Sequence, residues 1–193
     1  MRRVCVFCGS AAGARPEYAA AAEALGRAIA ARGLGLVFGG GAVGLMGIVS
    51  RAALAAGAPV TGIIPHGLVM REAGNRDLPD LRVVASMHER KAMMAEMSDG
   101  FLVLPGGYGT LEEVVEALTW LQLGIHRKGV AFVDTLGFWS RQMAMLDHMV
   151  AEGFLKPEMR RMAMIAPDAE GALDALAGFA APDVPRWLVP GEA

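Results

Sequence analysis

The feature of this 193-residue chain that most constrains its fold is a regular alternation of short apolar runs with amphipathic stretches. The apolar runs predict strands at 4–8, 34–38, 60–64, 81–84, 101–104, 130–133 and 162–165. The amphipathic stretches predict helices at 17–32, 45–56, 87–97, 111–123, 138–152 and 168–177. Strands that are apolar on both faces and separated by helices indicate a parallel sheet covered on both sides. We therefore expect a Rossmann-like, doubly wound α/β fold, mainly parallel, with about seven strands and helices on both faces.

The composition and charge of the chain indicate one globular domain. With 54% hydrophobic and 20% charged residues, we expect a single nucleotide-binding domain over 1–193, with a loose tail at about 182–193. The net charge of −2 offers no general attraction for nucleic acid or anionic lipid, so neither is an expected partner. The apolar run after Arg2 and Arg3 is too short for a secretory signal, and no segment predicts a membrane span. We expect a cytoplasmic protein.

A glycine-rich loop, Pro105-Gly106-Gly107-Tyr108-Gly109-Thr110, joins a predicted buried strand to a predicted helix. The three glycines permit positive φ angles and close backbone approach, so successive N–H groups could converge on a phosphate at the helix N-terminus. A competing interpretation is a capping box, in which Thr110 caps the helix and Glu113 reaches back to it. A cap does not need three preceding glycines, so we favour ligand contact by Gly107 and Thr110.

A second glycine-rich loop follows the second predicted strand and contains Gly39, Gly40 and Gly41. It satisfies the G-x-G-x-x-G pattern of dinucleotide-binding proteins, which also needs an acidic residue about twenty positions later to bind the ribose. No Asp or Glu occurs between Gly33 and Glu72, which favours a mononucleotide over NAD. The glycines could instead serve only a tight turn, but two loops at one sheet edge favour ligand contact.

Arg90 and Lys91 follow the fourth predicted strand and should lie near the same sheet edge. Arg90 suits a planar fork that holds phosphate or a ribose and base edge, and for Lys91 an exposed surface position is the less favoured alternative. Cys5 and Cys8 lie three apart in a strand, point to opposite faces and are expected to be buried structural thiols. Asp134 ends a strand, where a turn or capping role is favoured over ligand contact. The four histidines lack ligand spacing, so no metal site is indicated.

Five motifs along residues 4–154 resemble those of the Lonely Guy (LOG) family, in the family's order and spacing. They are Cys8-Gly9-Ser10, Gly39-Gly40-Gly41-x-Val43-Gly44-Leu45-Met46-Gly47, Met87-His88-Glu89-Arg90-Lys91, Pro105-Gly106-Gly107-Tyr108-Gly109-Thr110-Leu111-Glu112-Glu113 and Thr119-Trp120-x-Gln122-Leu123-Gly124. Members of that family are cytokinin riboside 5′-monophosphate phosphoribohydrolases, which were long mislabelled as lysine decarboxylases.

The resemblance implies catalytic roles for Arg90 and Glu113. Together with the glycine loops, it predicts substrate contacts at Ser10, Gly39, Gly40, Gly41, Met46, Glu72, Lys91, Gly106, Gly107, Tyr108, Gly109, Thr110, Leu111 and Thr119. Many relatives carry a histidine three residues after Glu72, where this chain has Asn75, a departure that concerns selectivity rather than the reaction. The resemblance also implies a homodimer or higher oligomer with the pocket near the interface. Part of the apolar surface of two helices is then expected to meet a second subunit, through Met87, Met93, Met94, Met97, Trp120, Leu121 and Leu123.

The implied reaction is hydrolysis of the N-glycosidic bond of a purine or cytokinin riboside 5′-monophosphate, including AMP, to free base and ribose 5-phosphate. It needs no cofactor. An oxocarbenium-like transition state makes a fixed carboxylate useful, so Glu113 could hold the ribose, stabilise the cation or orient water. Because arginine is a poor proton donor, Arg90 should clamp phosphate or polarise the leaving purine, and the source of the proton is left open.

Two other function classes fit the same sequence features. One is a non-catalytic nucleotide or molybdenum-cofactor carrier with similar glycine loops, and the other is a DNA-processing relative, which the lack of a basic stripe disfavours. Lysine decarboxylation is disfavoured, since it normally needs a Schiff-base lysine in a pyridoxal site. The sequence leaves open which purine is physiological.

Overall fold

The computed structural model describes residues 1–69, 74–75 and 78–182. Within these ranges the strands form one sheet in the order β4-β3-β2-β1-β5-β6-β7, with every pair parallel. The strands are β1 (Arg3–Phe7), β2 (Gly35–Phe38), β3 (Val60–Pro65), β4 (Asp80–Val84), β5 (Gly100–Val103), β6 (Val130–Val133) and β7 (Ala163–Ala166). All seven predicted strands are confirmed, as is the doubly wound α/β fold. The predicted loose tail lies, apart from residue 182, outside the described residues.

The helices between the strands agree with the amphipathic stretches to within a few residues. They are α1 (Pro16–Ala31), α2 (Gly44–Ala55), α3 (Met87–Glu96), α4 (Tyr108–Gln122), α5 (Ser140–Ala151), α6 (Pro157–Arg160) and α7 (Ala169–Ala177). Two 3₁₀ turns, His66–Leu68 and Thr135–Gly137, and the short α6 were not predicted, because elements of three or four residues carry no readable periodicity. In the part of the chain that the structure describes, no helix is long and apolar enough to cross a membrane.

Two apolar cores cover the two faces of the sheet. One is built on α1, α2 and α7, and the other on α3, α4 and α5. Cys8 belongs to the first core and Cys5 to the second, and both are free, buried thiols. This confirms that the two cysteines point to opposite faces as structural residues. The central strands are apolar along their whole length because both of their faces are buried. This is why the apolar runs in the sequence predicted a sheet covered on both sides.

The direction of winding reverses at β1, which pairs with β2 on one side and β5 on the other. In such sheets the loops that leave the two strands beside the reversal diverge to opposite faces and leave a crevice at their carboxyl ends. Here these are the loops after Phe7 and after Val103. The two are tied together by a backbone hydrogen bond from Gly9 N to Pro105 O of 3.0 Å. The fold therefore positions the glycine-rich loop at this crevice.

Two helix starts differ from the prediction by more than one residue. Helix α4 begins at Tyr108 rather than Leu111, because Gly107 takes the extended N-cap conformation. Helix α5 begins at Ser140 rather than 138. Before it, Asp134 accepts hydrogen bonds from Trp139 N (2.6 Å) and Ser140 Oγ (2.8 Å), which confirms its turn role.

Candidate functional site

A cleft of about 170 Å³ opens at the crevice between β1 and β5. Five parts of the chain contribute its walls: the end of β1 with the loop after it, the start of the loop after β2, helix α2, helix α3 and the N-terminal turns of α4. The lining residues are Val6, Cys8, Gly9, Ser10, Gly39, Met46, Arg90, Gly107, Tyr108, Gly109, Thr110 and Glu113. The cleft thus combines one cation, one carboxylate and a helix N-terminus.

The N-terminus of α4 presents its backbone to the cleft. Gly107 is the N-cap residue and carries no side-chain cap, so the first N–H groups of the helix have no intrahelical partner. Thr110 is buried inside the first turn, and its Oγ1 lies 2.1 Å from where a Cβ on Gly106 would stand. Thr110 is therefore not the N-cap, and the capping-box interpretation is wrong. An uncapped helix N-terminus with its partial positive charge is suited to an anion.

The glycines of this loop work differently from the expectation. None of Gly106, Gly107 and Gly109 has a positive φ, so the expectation of positive φ angles in this loop is wrong. Gly106 is needed for close packing against Thr110, as the distance above shows. A Cβ at Gly107 or Gly109 would meet nothing within 4 Å. At those two positions the missing side chain leaves the helix N-terminus open to the cleft.

Arg90 lies in the wall of the cleft with only 5% of its surface exposed. Its Nη2 donates a hydrogen bond of 2.9 Å to the carbonyl oxygen of Gly39, and its Nη1 lies 3.7 Å from the sulfur of Met87. Its Nε is buried and finds no hydrogen-bond partner among the described residues. A buried guanidinium with an unsatisfied donor is suited to bind an anionic or carbonyl group that enters the cleft.

Glu113 lies on the same helix as the open N-terminus, three residues after Thr110 and therefore on the same face. It is 9% exposed and lines the cleft. Arg90 lies on α3, and Glu113 lies on α4, 23 positions later in the chain. The two side chains nevertheless line the same small cleft.

The thiol of Cys8 also lines the cleft, but it is unreactive. Burial raises its pKa far above the ordinary range, and the nearby Glu113 carboxylate raises it further against the opposing effect of Arg90. Burial likewise raises the pKa of Cys5 well above its usual value. Both cysteines therefore remain protonated near neutral pH, which makes Cys8 a poor nucleophile.

The structure brings together nine of the residues predicted to form the site: Ser10, Gly39, Met46, Arg90, Gly107, Tyr108, Gly109, Thr110 and Glu113. Glu72 lies outside the described residues. Three further lining residues, Val6, Cys8 and Gly9, were not predicted as site residues. Their signal was available in the sequence, because β1 ends at the switch point and its last residues must face the crevice.

The other predicted contacts lie away from the lining of this cleft. Gly40 and Gly41 hold the chain after β3, since Gly40 O accepts a hydrogen bond of 3.0 Å from Asn75 N and Gly41 forms a β-bridge with Gly74. Gly106 lines a neighbouring apolar cavity of about 300 Å³. Leu111 packs on the core beneath α4.

Two polar residues predicted to contact substrate also use their side chains elsewhere. The exposed Thr119 donates its hydroxyl hydrogen to Val115 O at 2.7 Å, within α4. The ammonium of Lys91 contacts the carboxylates of Glu112 and Glu116.

The fold and the cleft define a class of protein: a Rossmann-like α/β protein with a cleft at its switch point that opens on a helix N-terminus. Solved structures of this fold include the molybdenum cofactor carrier protein of Chlamydomonas reinhardtii, with a TM-score of 0.69 and 23% identity over 91% of this chain and 95% of that one. The molybdenum cofactor binding protein of Rippkaea orientalis matches with a TM-score of 0.67 and 22% identity over 92% of this chain and 96% of that one. At these identities the likeness concerns the fold.

Sequence relatives identify the family. A family model described as "Possible lysine decarboxylase" matches residues 46–176. The probable cytokinin riboside 5′-monophosphate phosphoribohydrolase LOGL5 of Oryza sativa subsp. japonica is 48% identical over 94% of this chain and 74% of its own length. The cytokinin riboside 5′-monophosphate phosphoribohydrolase LOG7 of Arabidopsis thaliana is 47% identical over 88% of this chain and 78% of its own length. The chain belongs to this LOG family of phosphoribohydrolases, as its motifs predicted.

Proposed function

We propose that this protein hydrolyses the N-glycosidic bond of cytokinin riboside 5′-monophosphates and of AMP, releasing the free base and ribose 5-phosphate. The observation that carries the proposal is the meeting of Arg90, Glu113 and the uncapped N-terminus of α4 in one cleft. The chain is 46–48% identical to relatives named for this activity, which supports the same conclusion.

Each part of the cleft has a role in this reaction. The 5′-phosphate binds at the N-terminus of α4, where backbone N–H groups and the helix dipole favour an anion. The ribose then lies over Glu113, one turn further along the helix, where a buried carboxylate stabilises positive charge that develops at C1′. The guanidinium of Arg90 donates hydrogen bonds to the phosphate or to the leaving purine. Water adds to C1′ as the bond from C1′ to the purine nitrogen breaks, and the proton that the water loses ends on the departing base. Cys8 does not serve as the nucleophile, because its buried thiol stays protonated.

The test is incubation of the purified protein with AMP and, separately, with isopentenyladenosine 5′-monophosphate, with chromatography of the products. Release of adenine or isopentenyladenine together with ribose 5-phosphate supports the proposal. Comparison of the kcat/KM values for the two nucleotides shows which purine the protein prefers. Binding of both nucleotides without release of base would refute the hydrolase and favour a carrier.

The fold shared with molybdenum cofactor carriers does not favour the carrier function, since the hydrolase relatives are about twice as similar in sequence. Lysine decarboxylation is not supported either. Of the three lysines in the chain, Lys91 is engaged with two carboxylates and Lys128 donates to Ala95 O. A Schiff-base lysine needs a free, deprotonated amine beside its cofactor.

The protein acts, in this proposal, as a cytoplasmic homodimer or higher oligomer. Exposed apolar side chains on α3 and α4 support a second subunit there: Met87 and Val115 are about half exposed, and Tyr108 is 93% exposed. Two members of the predicted surface, Met94 and Leu121, are instead buried in the core of one subunit. Loss of specific activity on dilution, together with a molar mass from light scattering, tests this. A monomeric mass at full activity would refute it.

A further inference from the structure

Lys91 is a buried cation that does not face the cleft. Its side chain is only 7% exposed, and its Nζ donates to Glu116 Oε1 at 3.0 Å and to Glu112 Oε1. Burial lowers the pKa of this ammonium, but the hydrogen bonds to Glu112 and Glu116 outweigh that effect and hold the pKa above its usual value. The cation is therefore fully charged and engaged with two carboxylates of the facing helix.

Helix geometry explains why adjacent residues on α3 and on α4 contact different partners. Successive residues on an α-helix point about 100° apart, so Arg90 and Lys91 cannot face the same way, and neither can Glu112 and Glu113. On α3, Arg90 faces the cleft and Lys91 faces α4. On α4, Glu113 faces the cleft, while Glu112 and Glu116, four residues apart, face Lys91. The ion bridge thus joins the residues adjacent to the two expected catalytic groups.

The two helices contact different strands, although both contribute apolar side chains, such as Met94 and Val114, to the same core. Helix α3 packs on β3 and β4, whereas α4 packs on β1 and β6. A void of about 10 Å³ remains between the helices, lined by Lys91, Glu113, Glu116 and Trp120 among others. Interdigitated apolar side chains would fill such a space. Beside this void, the bridge from Lys91 to Glu112 and Glu116 is a polar contact that joins α3 directly to α4.

We propose that Lys91 is a positioning residue: its bridge to Glu112 and Glu116 fixes α3 against α4 and so sets the separation of Arg90 and Glu113 across the cleft. The inference deepens the proposed hydrolase function and depends on it. It departs from the role of substrate contact that the family resemblance implies for Lys91. A displacement of about 1 Å between reacting groups costs roughly 100-fold in rate, so a loosened bridge should act on turnover.

The experiment compares Lys91→Met, the double variant Glu112→Gln/Glu116→Gln and the triple combination, using base release from isopentenyladenosine 5′-monophosphate. We expect Lys91→Met to lower kcat by about 10- to 100-fold with KM changed less than about threefold. The glutamine pair should reproduce this loss although neither glutamate lines the cleft. The triple variant should be no slower than either, because all three changes break one bridge.

A matched control removes a similar bridge elsewhere. Arg32, at the end of α1, also contacts two carboxylates of a facing helix, Glu170 and Asp174 of α7. Arg32→Met should lower the melting temperature and leave kcat at the wild-type value, since this bridge lies away from the cleft-lining residues.

Two results would overturn the proposal. One is a raised KM with unchanged kcat in Lys91→Met and wild-type kinetics in the glutamine pair, which would make Lys91 a substrate contact. The other is an unchanged Arg90–Glu113 separation in crystal structures of wild type and Lys91→Met. The second measurement needs no turnover, so the positioning role is tested even if the wild-type protein releases no base and the proposed function fails.

Discussion

The substitution Gly39→Ala tests whether the position of Arg90 controls turnover. A Cβ on residue 39 would stand 1.9 Å from Arg90 Nη2 and 2.9 Å from its Cζ, whereas real Cβ atoms do not approach within 3.0 Å. Gly39 is absent from the residues of positive φ in the described ranges, so alanine adds no backbone strain there. The methyl group therefore acts on the guanidinium, the end of a flexible side chain.

The size of the effect follows from these distances. The guanidinium must withdraw by at least about 1.1 Å and loses its 2.9 Å hydrogen bond to Gly39 O. A displacement of that size costs roughly 100-fold in kcat if Arg90 contacts the reacting nucleotide. The lost hydrogen bond lowers the free energy of unfolding by about 1–3 kcal/mol, which leaves the protein folded.

Steady-state release of base from AMP or isopentenyladenosine 5′-monophosphate, alongside urea unfolding, measures both quantities. Gly178→Ala is the control, because a Cβ there makes only an ordinary contact of 3.5 Å with Asp174 O. On an Arg90→Ala background, Gly39→Ala should cause little additional loss, since the methyl group then meets only Met46 Sδ, at 3.3 Å and at the end of a flexible side chain. A Gly39→Ala protein with wild-type kcat, or an additive loss in the double variant, would refute the reasoning.

Glu113→Gln should bind nucleotide with little change in affinity, as measured by calorimetry, but should release base at least ~100-fold more slowly. Unchanged turnover would exclude Glu113 from the mechanism. Acidification should destabilise the fold through His126, whose pKa burial lowers from 6.5 to about 4. Because the unfolded chain takes up that proton first, stability present above pH 6.5 is lost as the pH falls towards 4, by about 2 kcal/mol at pH 5. Urea unfolding of wild type and His126→Asn at pH 7.5 and 5 measures the difference, and equal losses in the two proteins would contradict it. Gly44→Ala should cost more than about 3 kcal/mol, since Gly44 has φ 59° and a Cβ would stand 2.3 Å from the backbone of Ser10. Gly33→Ala, at φ 66° in open space, should cost only about 1 kcal/mol, and similar losses at both positions would show that the contact with Ser10 is unimportant.

The extent to which the site could be predicted differs from residue to residue. Glu113 and the loop 107–110 were predictable because they follow β5, which ends at the switch point. Arg90 follows the edge strand β4 and was predictable only because the carboxyl ends of parallel strands lie at one edge of the sheet. The start of α4 was not, since Thr110-Leu111-Glu112-Glu113 matches a capping box as well as it matches an interior turn. The extended backbone of Gly107 and the packing of Thr110 against Gly106 distinguish the two.

Gly40 and Gly41 show a second limit. Their pattern is that of a phosphate-binding loop, but their main-chain groups pair with Gly74 and Asn75, more than thirty residues away. A glycine that permits a ligand to approach and a glycine that permits another segment of chain to approach look alike in a sequence. Gly39, their neighbour, is different again, because the side chain that needs its missing Cβ belongs to Arg90.

The sequence by itself determined the sheet, its parallel strands and the edge at which the site lies. Hydrophobic periodicity records burial along each element, and buried parallel strands joined by helices allow few arrangements. Tertiary structure alone decided where the charged ends of side chains go: Arg90 to the cleft beside Gly39, and Lys91 to Glu112 and Glu116. These pairings join residues 21 to 51 positions apart, and their geometry depends on how α3 and α4 pack on different strands, which no local pattern records.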